Sequence, residues 1–182
     1  MNLMQLDMQS LMRLLGETLR QPEMVAERLK PDYVPRKILW MAIVILSVLS
    51  AILGTISSGS LIAAPFGMAL MTLGLLVITI FGSQLICGWF GGTGTLDQAM
   101  YLLSWQHFVV LCLQAIGFIL SLALAPIAGA ITLAIGLIAF WQMAVFIKVL
   151  HDFTSIGRVI GGMLGFYFIF AFVVLMFIAP SA

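Results

Sequence analysis

Residues 38–57 read Ile38-Leu39-Trp40-Met41-Ala42-Ile43-Val44-Ile45-Leu46-Ser47-Val48-Leu49-Ser50-Ala51-Ile52-Leu53-Gly54-Thr55-Ile56-Ser57, with no Asp, Glu, Lys or Arg among them. A hydrocarbon layer about 30 Å thick is crossed by roughly 20 apolar residues rising 1.5 Å each. This run therefore predicts one membrane-spanning helix. Arg36 and Lys37 stand at its entrance, and Ser57-Ser58-Gly59-Ser60 reads as a tight turn at its exit. The first apolar run is long enough to span, so it is expected to stay in the chain rather than to serve as a cleaved leader.

Four further runs follow the same rule. They cover about residues 61–86, 100–124, 127–147 and 159–178, separated by a Gly-rich break from Gly88 to Gln98, a turn at Pro126, and a polar stretch from Lys148 to Arg158. The runs are continuous rather than alternating, which favours helices over a barrel. The expected fold is all-α: a polytopic integral membrane protein with five transmembrane helices in residues 38–182 and a cytoplasmic amphipathic segment in residues 1–37.

Composition agrees. Of 182 residues, 63% are hydrophobic and 8% charged, against about 45–50% and about 25% in soluble domains. A soluble chain of this size has too little interior to bury so much apolar surface. Net charge is +1, which provides no basic field for nucleic acid. Eleven of the fifteen charged side chains precede position 38, and the other four are Asp97, Lys148, Asp152 and Arg158. With five spans, every Lys and Arg falls on one side of the membrane, so the N-terminus is expected in the cytoplasm and the C-terminus outside.

In the N-terminal segment, Met4, Met8, Leu11, Leu15 and Leu19 recur at helical spacing with Met12 beside them, while Gln5, Gln9, Arg13, Glu17 and Arg20 take the other side. This predicts an amphipathic helix whose apolar face lies on the membrane surface or on a partner helix. Pro22 and Glu23 signal a second helix start, and Arg28 and Lys30 suit its end before Pro31.

The stretch Gly88-Trp89-Phe90-Gly91-Gly92-Thr93-Gly94-Thr95 lacks the lysine of a phosphate-binding loop. It reads instead as a sharp turn, with Thr95 and Gln98 spaced as a capping box for the third span. Gln84, Gln106, His107, Gln114 and Gln142 are polar groups within the spans, where such side chains usually face other helices. No carboxylate or lysine occupies the middle of any span, so neither an ion relay nor a catalytic set is visible. His151, Asp152 and Asp97 are a weak combination for a metal, and no metal or cofactor is expected. Cys87 and Cys112 read as packing residues, and Lys148 with Asp152 has the spacing of a helical ion pair. Gly161 and Gly165 form a GxxxG, and Gly117, Ser121, Ala125 and Gly129 continue a small-residue spacing; both patterns mark helix packing.

Three parts of the chain together resemble the Yip family (Ypt-interacting proteins), particularly its short bacterial members. They are Leu19-Arg20-Gln21-Pro22 ahead of a short helix, Gly91-Gly92-Thr93-Gly94-Thr95-Leu96-Asp97-Gln98-Ala99 entering the third span, and Trp141 to His151 with Gly157-Arg158 opening the last span. With the five spans, the resemblance covers about residues 15–178. It implies a five-helix bundle without known catalysis, in a bacterial cytoplasmic membrane. Eukaryotic relatives are associated with Rab-type GTPases, vesicle traffic and membrane shaping. Their cytoplasmic Asp-Leu-Tyr-Gly-Pro type motif is absent here, so the resemblance carries over no functional residues.

Residues and resemblance lead to a non-enzymatic membrane interaction or scaffold protein, or an accessory subunit of a larger complex. Its expected partners are the lipid bilayer and a membrane protein, either a different one or a second copy. The alternative is a small oligomeric transporter or channel component. The predicted topology has a direct check: an alkaline phosphatase fusion, active only outside the cytoplasm, should be active at the C-terminus and inactive at the N-terminus. The reverse pattern overturns it.

Overall fold

The computed structural model describes residues 7–58 and 65–178. Met4 and the expected start of the second span at Leu61 lie outside these. Among the described residues there are seven α-helices and no strand: α1 (Met8–Arg20), α2 (Pro22–Leu29), α3 (Arg36–Ser58), α4 (Pro65–Trp89), α5 (Leu96–Ala123), α6 (Ala128–Leu150) and α7 (Ile156–Ile178). The last five are long and apolar enough to cross a membrane. A 3-10 turn at Ala125–Ile127 carries Pro126 between α5 and α6.

At the charged end the helices run further than the apolar runs, because the chain supplies caps there. Thr95 Oγ1 accepts from the Gln98 amide at 3.3 Å and Gln98 Oε1 accepts from the Thr95 amide at 3.1 Å, which is the expected capping box and starts α5 at Leu96. α5 has 28 residues, about 42 Å at 1.5 Å each and longer than the about 30 Å hydrocarbon core. The other extension is at the end of α6. The Asp152 amide donates to Val149 O and the Phe153 amide to Lys148 O, the paired bonds of a Schellman ending. Asp152 holds the left-handed position (φ 56°) that glycine usually fills. The turn carries its carboxylate away from Lys148, so the expected Lys148–Asp152 pair does not form; each finds a partner in the N-terminal segment instead.

The five spans form a closed ring. α3 lies between α4 and α5, α5 packs on α6, and α7 sits against both α6 and α4, while α2 packs across α6. The core occupies the charged half of the ring: Leu39 and Ile43 of α3, Ile80 of α4, Met100, Leu102 and Leu103 of α5, and Phe146 and Leu150 of α6 are almost wholly buried. Towards the opposite end, Leu122, Leu133, Leu137 and Phe168 are exposed, as lipid-facing side chains of a membrane bundle are.

The Gly-rich break is a tight turn between α4 and α5. Gly91 takes φ 81°, and the Gly92 amide donates to Cys87 O at 2.8 Å. A Cβ on Gly94 would lie 2.6 Å from Leu150 O, and one on Gly92 would lie 2.6 Å from His151 Nδ1 and 2.9 Å from Cys87 O. These glycines let the turn rest directly on the end of α6. Gly117 admits Ile135, whose Cδ1 is 2.3 Å from where a Cβ would stand, which joins α5 to α6. At Gly161 and Gly165 an added Cβ meets nothing within 4 Å. Within one chain the spans therefore approach closely at Gly117 and at Gly82, where a Cβ would stand 2.5 Å from Phe166 Cζ, and the GxxxG glycines border open space.

A test follows from these clearances. Gly94→Ala should lower stability by about 1–3 kcal/mol, because rigid backbone stands where its methyl must go, while Gly161→Ala should be neutral or slightly stabilising. Thermal melts in detergent that rank the two variants the other way would contradict this packing.

Candidate functional site

The residues that distinguish this chain from a plain apolar bundle gather at its charged end. α2 begins with Pro22 at its first turn beside Glu23 and has Arg28 in its last turn, an arrangement that suits the helix dipole. Val25 and Ala26 on its inner side are fully buried, as are Leu14 and Thr18 of α1.

Thr18 is the hub of this contact. Its hydroxyl donates to Leu14 O and accepts from Trp105 Nε1 at 3.2 Å, and its carbonyl accepts from Gln142 Nε2 at 3.3 Å. One residue of α1 thus joins α5 and α6. Nothing in the helical pattern marks Thr18 beyond its position one turn after Leu14.

Three ion pairs lie at the same end, two from the docked segment and one between the starts of α3 and α5. Lys30 Nζ lies 3.1 Å from Asp152 Oδ1, Lys148 Nζ is 2.6 Å from Glu23 Oε1, and Arg36 Nε is 2.8 Å from Asp97 Oδ1. Gln98 Nε2 adds a bond to Pro31 O at 3.2 Å. Each partner is partly exposed, so each pair contributes at most about 1 kcal/mol. Burying Val25 alone contributes about 2 kcal/mol. Apolar burial therefore holds the segment down, and the charges and hydrogen bonds set its register. Glu17 accepts from both Arg28 and Arg13, and these bonds, Arg28 first, hold its carboxyl below the usual range.

Asp152 joins this segment to the Gly-rich turn. The Thr93 hydroxyl donates to it, as does Lys30. These bonds, Thr93 first, hold its carboxyl below the usual carboxylate range. Beside it His151 is 1% exposed, and neither ring nitrogen has a partner among the described residues. Burial, assisted by the Lys30 charge and opposed by Asp152, lowers its pKa to about 4. Its ring stays neutral and fills the space that Gly92 leaves open. Among the described residues no three of His, Cys, Asp and Glu converge as a metal cluster, and Asp97 pairs with Arg36 rather than with His151.

The polar groups within the spans are engaged one by one. Gln106 Nε2 donates to Ala139 O at 3.3 Å, Ser50 Oγ and His107 Nε2 share a hydrogen bond at 3.0 Å, and Gln84 Nε2 donates to Gly94 O at 2.6 Å. These are links between elements. Gln114 differs: it is exposed on the outer side of α5. Of the N-terminal apolar stripe, Leu11 and Leu15 are half-buried, while Met8 and Leu19 are exposed. The face buried against the bundle is centred on Leu14 and Thr18, turned to one side of that stripe. Met8, Met12, Leu19 and Met24 are left as an exposed apolar flank.

The end of α1, α2, the glycine turn and the five spans fall within one family model. The Yip1 domain matches residues 16–178. The chain belongs to the Yip1 family. The match takes in Thr18, α2, the Gly-rich turn and all five spans, and leaves Leu14 of the docking contact just outside. No curated protein and no solved structure matches the chain.

Two outcomes follow. Thr18→Val should loosen the docked segment by about 1–2 kcal/mol, since the Trp105 donor loses its acceptor. It should speed proteolysis between residues 20 and 36, and an unchanged rate would show that the hydroxyl has no role in docking. Acid should act through His151. Because its folded pKa lies below the value near 6.5 of the unfolded chain, the unfolded state binds the extra proton. Stability is then full above about pH 6.5 and falls towards pH 4, by about 3 kcal/mol in all. Melting temperature between pH 7 and pH 4.5 reports the fall, and His151→Phe should flatten it; an equally steep fall in that variant assigns the effect elsewhere.

Proposed function

We propose that this Yip1 family protein works without catalysis, as a membrane scaffold or accessory subunit that presents its N-terminal segment at the cytoplasmic face of a bacterial inner membrane. The C-terminus would then lie outside. One observation carries the reading. The segment is held in a set register by Thr18 and two ion pairs, yet Met8, Met12, Leu19 and Met24 remain exposed on it. A helix fixed in place with apolar residues to spare is suited to touching something else, and methionines adapt to varied surfaces. Membrane headgroups and a partner helix both fit that surface chemistry, as does a second copy of the chain.

The buried polar groups weigh against the transport alternative. Gln106, His107 and Gln142 each bond a different partner, so they link elements rather than line a continuous path.

Pull-down from native membranes, followed by mass spectrometry, tests the proposal. The wild-type chain should bring down a reproducible membrane protein. The variant Met8→Gln/Met12→Gln/Leu19→Gln should lose it while retaining its melting temperature. Repeated recovery of the chain alone, or a partner that the triple variant binds equally well, would count against it. So would solute flux in liposomes above empty controls.

A further inference from the structure

A cavity of about 410 Å³ opens between α4, α6 and α7, within the range of small-ligand sites. Its walls are mostly apolar, with Ile86, Met143, Ile147 and Met163 among them. On the α7 side Gly161 and Gly162 present no side chain, and a Cβ on Gly161 would still meet nothing. The space is therefore a property of the sequence of α7. This helix is also the most loosely held span, with 11% of its membrane-crossing window buried.

Along the cavity's length the Phe166 ring lies on Gly82, where a Cβ would stand 2.5 Å from Phe166 Cζ, so α7 touches α4 there. At its near end stands Arg158, in the first turn of α7. From Arg158 to Tyr167, the last lining residue on α7, the axial rise is about 14 Å. That is close to half of the roughly 30 Å hydrocarbon layer. The lining on α7 therefore spans about the depth of one leaflet, with Arg158 at its charged end.

Arg158 completes the picture. Of the four charges beyond position 37, Asp152 and Lys148 pair with Lys30 and Glu23 of the N-terminal segment, and Asp97 pairs with Arg36 at the start of α3. The Arg158 guanidinium has no ion pair or hydrogen bond among the described residues. It also sits at a helix N-terminus, where the dipole disfavours a cation and favours an anion. The first turn of α7 contains no acid to offset this. An anion against Arg158 resolves both conflicts, and the apolar cavity beneath requires that the anion carry a hydrocarbon chain.

We propose that the groove between α4, α6 and α7 binds one anionic phospholipid from the leaflet at the charged end, with a tail in the cavity and its phosphate against Arg158. Reconstitution of the full chain into nanodiscs of equal phosphatidylglycerol and phosphatidylcholine with matched tails tests this, with retained lipid counted by native mass spectrometry. The wild type should retain phosphatidylglycerol about fivefold over phosphatidylcholine, the strength of one cation near an anionic membrane. Arg158→Gln should abolish the preference while some lipid of either kind stays bound, and Arg158→Lys should keep most of it. Gly161→Leu should reduce both lipids by filling the cavity, at an unchanged melting temperature. Equal retention by the wild type, a preference that survives Arg158→Gln, or full displacement by inorganic phosphate would overturn the assignment, the last because it would mean an anion site without a tail.

Discussion

The docking of α1 and α2 onto the ends of α5 and α6 is the interaction on which the rest of the charged end depends. A membrane body can carry few charges, and this one has only four beyond its first 37 residues. Two of them, Lys148 and Asp152, meet an opposite charge from the docked segment, and Asp97 meets Arg36 at the start of α3. Because the body has so few alternatives, the two pairs constrain where the segment can lie. Exposed pairs contribute little energy, but two of them and a buried threonine together set the register. Loss of any one pair leaves the apolar contact of Val25 and Ala26 in place.

This arrangement explains why the ends of the spans matter more than their middles. The core is concentrated in the charged half of the bundle, beneath the docked segment. There α5 and α6 extend past their apolar runs through a capping box and a Schellman ending. Asp152 links the two levels, since one residue closes α6 in a left-handed turn, accepts from Thr93 of the glycine turn and holds Lys30. A glycine there would suit the backbone better but would leave Lys30 and Thr93 without their partner. The strain at this position is offset by the contacts of its side chain.

The membrane architecture was legible because it rests on length and continuity of apolar residues, and the Thr95–Gln98 box because a local motif needs only its own four residues. The Yip family likeness could be read from short motifs near the span ends, where the structure concentrates its polar contacts. What stayed hidden depended on pairing across the chain. Lys148 and Asp152 have the spacing of a helical pair, but the turn at residue 152 separates them, and neither residue carries a mark of its true partner over a hundred positions away. Met8, Leu11, Leu15 and Leu19 do share helical spacing along α1. Periodicity defines an arc, however, and which part of the arc is buried depends on the surface it meets. Thr18 lies within the buried part and looks unremarkable in sequence because its bonds to Trp105 and Gln142 are tertiary.

The same reasoning separates two kinds of glycine that composition treats alike. Gly92, Gly94 and Gly117 are small because something already occupies the space beside them. Gly161 and Gly165 are small next to emptiness, although their GxxxG spacing is the pattern associated with close helix approach. In a soluble core a void of this size would be destabilising. In a bilayer it need not remain a void, since lipid tails can enter any space open to them. A helix that leaves such space beside an unpaired arginine is shaped for what the membrane supplies. The four charges of the body then divide by task, with Lys148 and Asp152 holding the docked segment, Asp97 tying the start of α3 to α5, and Arg158 facing the lipid.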